Sequence, residues 1–145
     1  MQWTSPELDG TGDHIAAWVA DTLAAAGVEG DALYVATPDA GAREALAFWA
    51  AAQQTGLTFA APAAFPWTLA NSPTGRISQA LGIRGPCTTF VGGAEARDEA
   101  RTTAAEDLAT GLVSRAVVLT LCGDRRVSPA GGPVRVELTA EVLTR

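Results

Sequence analysis

Residues 85–96 read Gly-Pro-Cys-Thr-Thr-Phe-Val-Gly-Gly-Ala-Glu-Ala, and the fold follows from how this stretch is parsed. Gly85-Pro86 turns the chain, because proline fixes φ and glycine enters conformations closed to other residues. Cys87-Thr-Thr-Phe-Val91 is rich in β-branched and aromatic residues and reads as a short strand. Gly92-Gly93 turns the chain again, into a long helix from about Ala94 to Gly111. A nucleophile at the first residue of such a helix gains from the positive end of the helix dipole, which stabilises a thiolate or an oxyanion. The residue at that point is Ala94.

The same alternation continues in both directions. Downstream, Ser114 to Cys122 is the strongest strand signal in the chain, Gly123 to Pro133 a polar loop, and Val134 to Val142 an alternating strand with one wet face. The loop has hairpin length, so the last strand is expected to run antiparallel to its predecessor. Upstream, Asn71-Ser72-Pro73 caps a short helix through Gly82. Pro62 and Pro66 exclude a long regular element between Gly56 and Ala70, which reads as an extended, well-packed connection. A helix from Ala42 to Gln54 carries Leu46, Phe48, Trp49 and Gln53 on more than one face. Asp31 to Pro38 is a short buried strand. Asp13 is expected to cap a helix with Ile15, Trp18, Val19, Thr22 and Leu23 at helical spacing, stopping at Gly27. Residues 1–12 read as an irregular N-terminal arm anchored by Trp3 and Leu8. Trp18 and Trp49 fall at core spacing, and Trp67 is divided between packing and partner contact.

Helices alternating with apolar strands predict one α/β domain over 13–145, layered α-β-α, with a mixed, mostly parallel sheet of about four to five strands. At 145 residues the chain is long enough to bury a core. Aromatic residues make up only 6 % of it, so that core rests on Ala, Val and Leu.

Composition excludes several functions. A net charge of −6 argues against sequence-independent nucleic-acid binding, which needs a concentrated basic face. Arg125-Arg126 is the only adjacent basic pair and reads as a solvated turn. Cys87 and Cys122 lie in strand-like runs without metal or redox spacing, so they read as buried, reduced thiols of a cytoplasmic protein. The first 15 residues resemble no secretory signal, and no run of about 18 apolar residues exists to span a membrane. A single histidine, His14, at a helix start, cannot form a multi-histidine centre. No G-x-S-x-G elbow, Rossmann fingerprint or P-loop is present, since Gly10-Thr-Gly12 and Gly92-Gly93 lack the remaining glycines or the lysine. Neither a metal nor another cofactor is expected.

Several pieces in order carry a family resemblance. They are Phe65-Pro66, Asn71, the run Ile77-Ser-Gln-Ala-Leu-Gly-Ile-Arg-Gly-Pro86, a strand, a long helix with Ala104-Ala-Glu-Asp-Leu-Ala-Thr-Gly111, and Ser114-Arg-Ala-Val-Val-Leu119. Over residues 31–122 this resembles the N-terminal half of β-ketoacyl synthases, a thiolase-fold family. That family orders a proline-rich approach, an asparagine, "I-x-x-x-L-G-I-x-G-P", a dimer-interface strand, the nucleophilic cysteine at a helix start, and "A-x-D-L-x-x-G" before a core strand. Counted from Gly85-Pro86, the cysteine should fall at or within one residue of Ala94, where Gly93, Ala94 and Glu95 cannot attack a thioester. The half that supplies the family's two histidines is not in this sequence. Chain-length factors also replace the cysteine, typically by glutamine, which is missing here too.

The resemblance therefore implies a catalytically silent, ketosynthase-like accessory subunit in type II polyketide or fatty-acid-type biosynthesis. It would form a homodimer, or a heterodimer with a ketosynthase-like subunit. Cys87, Thr88, Thr89, Phe90 and Val91 are the expected interface strand, with Trp67 beside it. One alternative is an acyl- or carrier-protein-binding module, with Arg76, Arg84 and Arg97 as candidate contacts to a phosphopantetheine arm or an acidic acyl carrier protein. The competing reading is a small acyl-thioester-processing enzyme built around Cys122, Asp124 or Cys87, in the manner of a thioesterase, acyltransferase or dehydratase.

Overall fold

The structure, a computed structural model, describes residues 1–39, 41–123 and 133–145. Most of the loop expected at 123–133, with Asp124 and Arg125-Arg126, lies outside the described residues. The elements are β1 (Gln2–Thr4), α1 (Gly12–Ala25), β2 (Ala32–Thr37), α2 (Ala42–Thr55), two 3-10 turns (Leu57–Phe59 and Pro62–Thr68), α3 (Ser72–Ala80), β3 (Cys87–Val91), α4 (Ala94–Thr110), β4 (Arg115–Gly123) and β5 (Val136–Thr144).

They form one five-stranded sheet in the order β1-β5-β4-β2-β3. Strand β2 runs parallel to β3 and β4, whereas β5 runs antiparallel to β4 and β1. Burial explains the two halves. All six residues of β2 are buried, as a strand covered on both faces requires. In β5 buried positions alternate with more exposed ones, the pattern of a strand with one wet face.

Helices α1 and α3 cover one face, setting Ile15, Val19, Leu23 and Ile77 on Leu33, Val35, Val117, Leu119 and Leu138. On the other face α4 places Ala96, Ala100, Ala104 and Leu108, four residues apart, against Ala32, Tyr34, Ala36, Ala116 and Val118. Residues four apart share one side of a helix, and alanine lets that side approach the sheet closely. The space this leaves is filled by Tyr34, whose hydroxyl donates to the Asp107 carboxylate on α4. Burial first, and the Asp107 bond second, raise the Tyr34 pKa well above the usual tyrosine range. Gly85 is the other point of close approach: a Cβ there would stand 2.3 Å from the Asp31 carbonyl oxygen, at the start of β2.

Several expectations are corrected. Gln2–Thr4 is a strand, not an irregular segment, because its backbone groups complete the ladder of β5; Trp3 and Leu8 do anchor it on the core. The cap of α1 is Thr11 instead of Asp13. Its Oγ1 accepts from His14 N at 3.3 Å, and it is itself held by the Asp9 carboxylate. Trp18 packs partly buried against the core, but Trp49 is 54 % exposed, since α2 buries only Arg43 and Ala52 fully. The segment from Leu57 to Thr68 coils into 3-10 turns with no buried residue, so it is not well packed. Both cysteines are exposed thiols. Cys87 opens an edge strand, and Cys122 lies where β4 has run past its last pairing with β2.

Candidate functional site

Strand β3 is the outermost strand of the parallel half, and no described strand pairs with its far side. Leu33 N donates to Pro86 O, and Gly92 N to Thr37 O. In a parallel ladder alternate residues bond the same neighbour. Residues 86, 88, 90 and 92 therefore face β2, while the backbone groups of Cys87, Thr89 and Val91 point to the open edge. Side chains alternate in the other direction. Thr89 Oγ1 meets Thr74 Oγ1 of α3 at 2.6 Å, and Phe90 packs on the α4 side. Cys87, Thr88 and Val91 are exposed, and β3 contains neither a charge nor a proline.

The structure also exposes an apolar surface that sequence reading missed. Phe59 is 79 % exposed and Phe65 54 %, and with Trp49 and Leu57 they stand out from α2 and the 3-10 turns. Phe48 joins the group, its ring edge-to-face with Trp49 at 6.2 Å and Phe65 at 5.9 Å. Helix α3 packs against both β3 and the Pro62–Thr68 turn. Trp67 is half-buried, at the wall of a cavity shared with Gly12 and Ala64. The only signal available was negative: apolar residues interrupted by Pro62 and Pro66, with neither helical nor strand spacing to assign them a buried side.

At the start of α4, Ala94 is exposed and carries nothing nucleophilic. The Glu95 carboxylate folds back and accepts from Gly93 N at 3.2 Å. Backbone N–H groups of Glu95 and Gly93 hold its pKa below the usual carboxylate range. The positive end of the helix dipole thus faces an acid supplied by the helix itself. The His14 imidazole lies against the Asp9 carboxylate. Cys87 and Cys122 lie toward opposite ends of strands separated by β2, so they share no site.

The three arginines are not gathered. Arg76 on α3 lies 3.6 Å from Asp13, and Arg97 on α4 shares Glu141 with Arg101, at 3.4 and 3.2 Å. The sheet stands between these two helices. Arg84, in the turn after α3, makes no ion pair among the described residues. Among those residues no group of three His, Cys, Asp or Glu side chains could hold a metal ion, and no helix is long and apolar enough to cross a membrane.

No protein-family model matches the chain, and no curated protein matches it. Among solved structures it is similar to a ketosynthase, ApeO, in complex with its chain length factor, ApeC, from Xenorhabdus doucetiae. The TM-score is 0.60 at 16 % sequence identity, over 92 % of this chain and 58 % of the other. The chain thus has a thiolase-like, ketosynthase-like fold and spans a little over half the length of the chain it matches.

Proposed function

We propose that this chain works by association, as a catalytically silent ketosynthase-like subunit that pairs through β3 with a second copy or with a ketosynthase-like partner. The open edge of β3 carries this reading. Exposed edges of natural sheets are usually blunted by charge, proline or shortness, and an edge left open is a template for strand addition. Antiparallel pairing of β3 with a partner's strand would join two sheets, and the exposed aromatic surface around Phe59 and Phe65 offers a partner further apolar area. The alanine at the start of α4 is consistent with a role in assembly instead of condensation. Work in type II polyketide or fatty-acid-type biosynthesis fits this reading.

Arg84, with no acid bound to it among the described residues, and Arg76, eight residues earlier on α3, are the proposed contacts to an acidic acyl carrier protein. Arg97, on the other layer, is a separate and weaker candidate. Measurement of solution mass, alone and mixed with a ketosynthase-like subunit, tests the main reading. A stable dimer of either kind is expected, and a monomer under both conditions refutes it.

A further inference from the structure

Helix α2 and the Pro62–Thr68 turn face each other across an open cavity of about 290 Å³, with the start of α1 at one end. Ala47 and Ala51, four residues apart and so on one side of α2, form one wall, and Ala61 and Ala64 form the other. All four alanines are exposed, because no described residue fills the space between them. Phe48 and Trp67 bring aromatic rings to the same cavity. The Phe48 ring is held by edge-to-face contacts with Trp49 at 6.2 Å and Phe65 at 5.9 Å.

At the α1 end Gly12 permits close packing: a Cβ there would stand 3.0 Å from Glu44 Oε1 and 3.1 Å from the Trp67 ring. Glu44 Oε1 is shielded from solvent, and the walls present almost no polar surface. Water in such a space finds few hydrogen-bond partners, so an apolar occupant displaces it favourably. Size and lining narrow that occupant further. A cavity of about 150 Å³ takes one benzene ring, so this one has room for two fused rings. Aromatic rings that meet edge to face or offset gain beyond the area they bury, and Phe48 and Trp67 stand where such contacts form.

We propose that this cavity binds a small, uncharged molecule through a fused aromatic ring system, held between the two alanine walls and against Phe48 and Trp67. A saturated hydrocarbon of the same size is the poorer ligand. The proposal does not rest on the association reading, since the cavity is built within one chain and is tested on that chain alone.

Headspace partition of naphthalene and of decalin over a solution of the full chain tests it, binding being read as saturable loss of vapour. Both molecules are two fused six-membered carbon rings, and decalin is the more apolar, so adsorption to exposed apolar surface favours decalin. The cavity should instead favour naphthalene by about two- to tenfold, the scale of aromatic contacts. Phe48→Leu should reduce that preference. Ala51→Phe should abolish naphthalene binding by filling the space, and Ala64→Leu, on the opposite wall, gives the same test if Ala51→Phe fails to fold. Phe59→Ser, outside the cavity, should leave naphthalene binding unchanged. No saturable binding of naphthalene, decalin bound as tightly as naphthalene, a preference untouched by Phe48→Leu, binding that survives the filled cavity, or binding lost in Phe59→Ser would overturn the proposal.

Discussion

The sheet has two margins, and they differ in length and composition. At one, β1 contributes three residues to the edge of β5, and Pro6 and Glu7 follow at once. At the other, β3 contributes five residues, uncharged and free of proline, two helices flank it, and nothing described covers its outer side. Both strands pair inward in full register, so neither edge is a fraying end. The difference is in what would stop another strand from adding. The short margin with its proline and acid resists addition, and β3 does not.

A proline on each side breaks this comparison most directly. In β3 the N–H of Val91 points outward, so Val91→Pro removes an edge donor and keeps the ladder to β2. In β1, Met1 and Ser5 bond β5, which leaves the N–H of Thr4 outward in the same way. Val91→Pro should weaken association by about a hundredfold, the scale of a proline forced into a hydrogen-bonded position. Thr4→Pro should leave it unchanged. Sedimentation across a dilution series reads both, and equal effects would mean that β3 is not the pairing edge.

The aromatic surface of α2 and the 3-10 turns should have a smaller effect. Phe59→Ser and Trp49→Ser each remove an exposed ring of the kind that anchors interfaces, and each should cost about ten- to thirtyfold in association. Thermal stability should be almost unchanged, because neither ring is in the core. A fall in stability without a change in association would show instead that the rings pack within the subunit.

Tyr34→Phe probes the interior that both margins share. Loss of the bond to Asp107 should cost about 1 to 2 kcal/mol, measured by denaturant unfolding. The pH dependence has a definite sign. The hydroxyl stays protonated in the folded chain to higher pH than in the unfolded chain, so above about pH 10 the unfolded state loses a proton that the folded state keeps. Stability should fall with rising pH in that range, and this component should vanish in Tyr34→Phe.

Much of the fold was legible because burial leaves a periodic trace. The runs 32–36 and 116–119 are apolar at every position and became the centres of the covered strands β2 and β4, while the alternation after Val134 became β5 with its wet side. The alanines of α4 and the breaks at Gly92-Gly93 and Gly111 marked a helix whose limits the structure repeats to within one residue. Gln2–Thr4 left no such trace, since three residues hold no period and their strand character comes from β5, far along the chain. Phe59, Phe65 and Trp49 misled for the same reason. Apolar character says that a residue can be buried, and only the packing of α2 and the 3-10 turns decides whether anything lies over it.

The sequence alone determined that a strand, a glycine turn and a helix follow one another at 85–96, and that the helix begins on an alanine with no nucleophile, because residue identity and local backbone preference need no partners. Tertiary structure alone decided that this strand is the last in its sheet among the described residues, with the backbone groups of Cys87, Thr89 and Val91 directed outward. An edge is a property of strand order, which long-range pairing sets and local sequence does not encode.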